Sequence, residues 1–179
     1  MNENTINYSY PIYEVSVQDD ELGLTCISFV DKPAIKTDFI YFNEAKQKIY
    51  FDDDKRIVVS PILIPDQLIL RYDEYGNPFY LKWSADTIET AAWKFIASQS
   101  WNNVSIGHNG ENISNVDLLQ MWIVDNELDQ ANVEYGYNLP IGTLMVRYHV
   151  LNDNLWQLIK KGEVRGLSIE ALVNLLPTK

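Results

Sequence analysis

Cysteine and histidine are scarce in this chain of 179 residues, which has one Cys, Cys26, and two His, His108 and His149. A single thiol excludes an intrachain disulfide; it leaves the redox compartment open, with a reducing cytoplasm as the default. Three such side chains cannot assemble the ligand sets of structural zinc. Positive charge is also short: 14 Lys and Arg stand against 25 Asp and Glu, a net charge of -11. No basic surplus exists to neutralise phosphates, so nucleic acid is not an expected partner. No run approaches the ~18 apolar residues of a membrane span, and no membrane partner is expected. The first residues, Met1 to Asn7, carry neither a basic segment nor an apolar one, so no secretory leader is expected. No internal repeat, low-complexity tract or linker stands out.

What remains is a globular composition, 46% hydrophobic and 12% aromatic. That is enough to bury a core, and the length suits one domain over residues 1–179. Residues 12–18 alternate apolar and polar, as a half-buried strand does. Leu24 to Val30, Phe39 to Phe42, Ile49 to Phe51 and Arg56 to Ile64 read as further strands, with Asp52-Asp53-Asp54 as a solvated turn. Those aspartates lack the calcium-loop pattern. Leu68 to Tyr72 and Phe79 to Trp83 flank Glu74-Tyr75-Gly76-Asn77-Pro78, a hairpin signal. Ser84 announces a helix whose Ile88, Ala91, Ala92, Phe95 and Ile96 form one stripe. Strands return at Val104–His108, Val116–Val124 and Thr143–Val150, with a polar loop over Asp125 to Leu139. A second helix, about Asp153 to Lys161, has Asp153 placed to cap it, and Gly162 can take the left-handed stop. The expected class is a β-rich α+β domain.

Three residues carry candidate chemistry. His108 closes a strand and is followed by Asn109-Gly110, so it is either a satisfied structural histidine or a reactive group at a strand end. Ser168 alternates with Leu167 and Ile169. A serine hydroxyl is a weak nucleophile and needs an adjacent base. Gly166 would allow close backbone approach, and N–H groups there could form an oxyanion hole. Gly166-Leu167-Ser168-Ile169-Glu170 lacks the second glycine of a nucleophile elbow. Glu170 shares Ser168's strand face, roughly 6.5–7 Å away along the strand; it either orients His108 or is a solvated carboxylate. His149 reads as a surface residue.

Five blocks, taken together, resemble a known family. They are Asp20-Glu21-Leu22-Gly23-Leu24 with Ile27-Ser28-Phe29-Val30-Asp31-Lys32-Pro33-Ala34-Ile35; Ser60-Pro61-Ile62-Leu63-Ile64-Pro65-Asp66 with Arg71-Tyr72-Asp73; Ile106-Gly107-His108-Asn109-Gly110; Trp122-Ile123-Val124-Asp125; and Leu155-Trp156 through Lys161-Gly162-Glu163-Val164-Arg165-Gly166-Leu167-Ser168-Ile169-Glu170. In this order they resemble the XkdF-like phage serine proteases, relatives of tailed-phage prohead proteases and, more distantly, of herpesvirus assemblins. The resemblance implies an assemblin-like β-barrel with peripheral helices. It implies a cofactor-free serine endopeptidase that matures the phage head from within the assembling prohead, in the host bacterial cytoplasm. Ser168 would be the nucleophile and His108 the general base. The implied substrates are the scaffold protein, the major capsid protein and the protease itself; the portal and a second copy of the chain are further implied partners.

The chain departs from the family pattern at Gln120, where a glutamate is expected, and at Ala171, where a glycine is expected. It also has eleven residues beyond Ser168, little room for a downstream third member. Glu170 is therefore the choice for the orienting group, with His149 and Asp125 as runners-up. The alternative to an active protease is a catalytically impaired protease fold serving as a structural part of the virion.

Overall fold

A computed structural model describes residues 9–30 and 49–178. The expected strand Phe39 to Phe42 lies outside the described residues. Among them are β1 (Ile12–Ser16), β2 (Gly23–Val30), β3 (Tyr50–Asp52), β4 (Ile57–Leu63), β5 (Ile69–Tyr72) and β6 (Pro78–Lys82). Then come α1 (Ala85–Ala97), β7 (Val104–Ile106), β8 (Val116–Ile123), α2 (Gln130–Val133), β9 (Leu144–Val150), α3 (Asp153–Lys160), β10 (Gly166–Leu172) and β11 (Asn174–Pro177). They form three sheets, ordered β11-β1-β6-β5, β10-β2-β7 and β3-β4-β9-β8. The class is mixed α+β, mostly sheet. No closed barrel is found among the described residues.

Local chemistry explains the elements that frame the site. The β5–β6 hairpin closes on Asp73, whose side chain accepts from the backbone N–H groups of Tyr75 at 2.9 Å and Asn77 at 2.8 Å. Gly76, at φ +82°, supplies the left-handed residue. Hydrogen bonds from Asn77 hold the Asp73 carboxyl below its usual range. Ser84 caps α1 by accepting from Thr87 N–H. Ile88, Ala91, Ala92 and Phe95 are buried as the spacing requires. Ile96 is not: it is 46% exposed, because the stripe drifts off the core by the eighth position. The cap of α3 is Asn152 rather than Asp153, and its side chain accepts from Leu155 N–H at 3.0 Å. Asp153 instead occupies the first helical position, where its carboxylate meets Arg56 at 2.7 Å. Gly162 takes the left-handed stop at φ +69°.

The main core lies between α1 and α3 and the inner faces of β2, β9 and β10, with Phe29, Phe95, Tyr148 and Leu167 fully buried in it. A smaller core fills the region under residues 125–139. There Ala131, Tyr137 and Leu139 pack on Ile57, Val59 and Met145. That loop therefore contains the short helix α2 and a buried tyrosine, which its polar composition hides.

Candidate active site

The site is built on the three-stranded sheet β10-β2-β7. Successive strand residues point to opposite faces. Ile27 and Phe29, Leu167 and Ile169, and Val104 all go into the main core. Their neighbours Cys26, Ser28, Ser105, Ser168 and Glu170 therefore share the other face. Register lines them up: Ser168 pairs with Ser28 and Glu170 with Cys26 across β10 and β2, and Ser28 pairs with Ser105 across β2 and β7. Three serines thus form one row, and all three are buried.

His108 joins this row from the turn after β7. The strand ends at Ile106, two residues earlier than the apolar alternation suggests. Gly107 N–H still donates to Phe29 C=O at 2.9 Å, extending the β2–β7 ladder by one bond. Gly107 and His108 then take left-handed angles, φ +64° and +54°. For a histidine that conformation is uncommon and held at some cost, a pattern that concentrates at functional sites. Asn109 closes the turn by accepting from Glu111 N–H at 3.0 Å. The imidazole reaches the serine face: Nδ1 lies 3.0 Å from Glu170 Oε1 and 3.2 Å from Ser28 Oγ. The His108 side chain is 11% exposed and that of Glu170 38%.

The hydroxyl beside the imidazole is Ser28, not Ser168. Ser28 Oγ also lies 3.3 Å from Glu170 Oε1 and 2.6 Å from Ser105 Oγ. Cys26 Sγ lies 3.6 Å from Ser105 Oγ and 3.7 Å from Ile27 C=O. Burial pushes the Cys26 thiol up, and the Glu170 carboxylate adds to this, so Cys26 is a neutral thiol and not a nucleophile at neutral pH. Ser168 Oγ is buried and has no hydrogen-bond partner among the described residues. An orphaned buried hydroxyl is costly and calls for an explanation.

The remaining candidates separate. His149 lies on β9, 3.9 Å from Asp117, away from the serine row. Asp125 is exposed beyond β8 and pairs with Asn126. Gln120 stands on β8 opposite Arg147. Gly166 opens β10 opposite Val30 in the regular ladder. Asp52 meets Lys55, while Asp53 accepts from Trp156 Nε1–H, so that run is structural. Sequence reading passed over Ser28, Ser105 and Cys26. Their signal was a polar or thiol residue at every second position of strands otherwise apolar.

No group of three or more His, Cys, Asp or Glu side chains among the described residues could hold a metal. No helix among them is long and apolar enough to cross a membrane. A row of buried serines and an imidazole–carboxylate pair on one sheet face, in a β-rich α+β frame, are the side-chain types that serine-protease chemistry uses. Residues 45–176 match the family described as Putative phage serine protease XkdF, and the chain belongs to that family. His108, Ser168 and Glu170 fall inside the matched span; Cys26 and Ser28, on β2, fall before it. No curated protein and no solved structure matches the chain significantly.

Proposed function

We propose that the chain is a serine endopeptidase of phage head maturation, with Ser168 as nucleophile, His108 as general base and Glu170 as the orienting carboxylate. The observation that carries this reading is the 3.0 Å contact between His108 Nδ1 and Glu170 Oε1 on the face Ser168 shares. A carboxylate on Nδ1 fixes the Nδ1–H tautomer and gives Nε2 the role of proton acceptor. Ser168 Oγ, whose proton is committed to no other group, attacks the scissile carbonyl. His108 Nε2 takes that proton and passes it to the leaving amine. Water then hydrolyses the acyl-enzyme by the same route in reverse, and the carboxyl product leaves. Glu170, facing Nδ1, stabilises the transient imidazolium.

In this reading the substrates are the scaffold protein, the major capsid protein and the chain itself, cut inside the assembling prohead in the host cytoplasm. The frame is, on this view, related to the assemblin-like barrel without closing into one among the described residues; the packing of β10 against β4, which links two of the three sheets, supports it. The test is coexpression with scaffold and capsid proteins: the native chain processes them, and Ser168→Ala does not. Equal processing by both would end this reading.

A second reading has its own observation, since Ser168 Oγ makes no hydrogen bond to the imidazole. It makes the chain an impaired protease fold retained as a virion component. Mature particles would then contain it, uncut, at fixed stoichiometry. Particles free of it would exclude this role.

A further inference from the structure

Ser28 touches both the imidazole and the carboxylate, yet no step above uses it. It is fully buried at the centre of the serine row, so no water competes for its hydroxyl. We propose that Ser28 is a positioning residue, a second donor that holds Glu170 on Nδ1 of His108, and that Ser105 sets its direction. The proposal rests on the reading of His108 as base and Glu170 as orienting carboxylate.

Counting protons fixes the direction of each bond. An ionised carboxylate only accepts, so Nδ1 facing Glu170 Oε1 at 3.0 Å must carry the proton. Ser28 cannot donate to an Nδ1 that is already protonated. Its single O–H therefore goes to Glu170 Oε1, 3.3 Å away. Its lone pairs then face two donors, Ser105 O–H at 2.6 Å and Nδ1–H at 3.2 Å. Ser105, having given its proton, accepts from the Cys26 thiol at 3.6 Å. Every donor has an acceptor in this order. The same count removes Ser28 as the attacking hydroxyl. A serine that yields its proton to Nδ1 needs that nitrogen bare, and a bare Nδ1 would then oppose Glu170 acceptor to acceptor.

Two consequences follow. The carboxylate is held from two directions, by the turn after β7 and by β2, which narrows the angle of the imidazole over the strand. Its charge is also shared between two donors, so it favours the imidazolium less than it would with Nδ1–H alone. Among the described residues, Glu170 from β10 and Cys26 from β2 are titratable side chains on this sheet face; Glu111, in the turn, is exposed.

The test reads the imidazole directly by NMR titration, in a His149→Gln background that leaves His108 as the one histidine. Ser28→Ala should move the His108 midpoint to higher pH, by roughly half a unit to one unit, and Ser28→Thr should return it. Ser105→Ala should move it the same way by less, and it serves where Ser28→Ala does not fold. A midpoint unmoved in folded Ser28→Ala, or in Ser105→Ala, overturns the proposal. Labelling with a fluorophosphonate, followed by peptide mapping, adds a second arm. An adduct on Ser168 with the acid limb of cleavage displaced in Ser28→Ala is expected; an adduct on Ser28 overturns the positioning role. A chain that neither labels nor cleaves defeats the peptidase reading, while the titration still decides what Ser28 does to the imidazole.

Discussion

Ser168 and Ser28 stand directly opposite each other across β10 and β2, both buried, yet only Ser28 has hydrogen-bond partners for its hydroxyl. Removing the two hydroxyls should therefore have opposite effects on stability. Ser168→Ala deletes an orphaned buried group and should be neutral or stabilising by up to about 1 kcal/mol. Ser28→Ala strands the donor of Ser105 and should cost about 1–3 kcal/mol. Denaturant midpoints of the two variants, at unchanged m-value, check this. A loss of stability in Ser168→Ala as large as that in Ser28→Ala would mean Ser168 Oγ is satisfied after all.

Glu170→Gln keeps the shape of the orienting group and removes its charge. The amide can present its N–H₂ to Nδ1 and so favour the wrong tautomer. Turnover should fall by on the order of a hundred- to ten-thousandfold, with KM little changed. Cleavage kinetics on a peptide from the processed capsid region would measure it. A drop of less than about tenfold would move the orienting role away from Glu170.

Alkaline pH should unfold the protein through its buried tyrosines. Burial pushes Tyr137 up to about 12, and its hydroxyl donates to Val59 C=O at 2.9 Å. Tyr148 is pushed up as well, again by burial. A folded-state value raised above the unfolded one means the unfolded chain releases its proton first. Stability is then fully present below about pH 10 and falls as pH rises toward about 12. Tyr137 alone should remove roughly 2–3 kcal/mol across that window. Absorbance titration near the tyrosinate band should show a class of tyrosines that ionises only as circular dichroism is lost. Tyr137→Phe should flatten the alkaline fall.

Gly142 opens the turn into β9 at φ +92°, and a Cβ there would lie 2.7 Å from Ala85 Cβ. Gly142→Ala should cost about 1–3 kcal/mol, from the clash and the left-handed backbone together. Adding Ala85→Gly should recover the steric part and leave the backbone part. Thermal melts of the single and double variants separate the two.

The alternation of residues 12–16, the hairpin around Gly76, the cap at Ser84 and the stop at Gly162 were all legible in the chain, because each depends on neighbours within a few residues. So was the pairing of Ser168 with Glu170 on one face, since strand geometry alone dictates it. Ile96 and Asp153 misled, since whether a helix position meets the core or the cap is decided by what lies beside it. The serine row was beyond the sequence for a stronger reason. Ser28, Ser105 and Ser168 are brought into register by two strand pairings, one parallel and one antiparallel, which join Ser28 to Ser105, 77 residues on, and to Ser168, at the far end of the chain. Composition and local pattern determined that this chain folds as β-rich α+β and carries a histidine, a serine and a glutamate worth watching. Only the tertiary structure decided which hydroxyl faces the imidazole, because hydrogen bonds act over about 3 Å and nothing in local sequence sets a distance between remote strands.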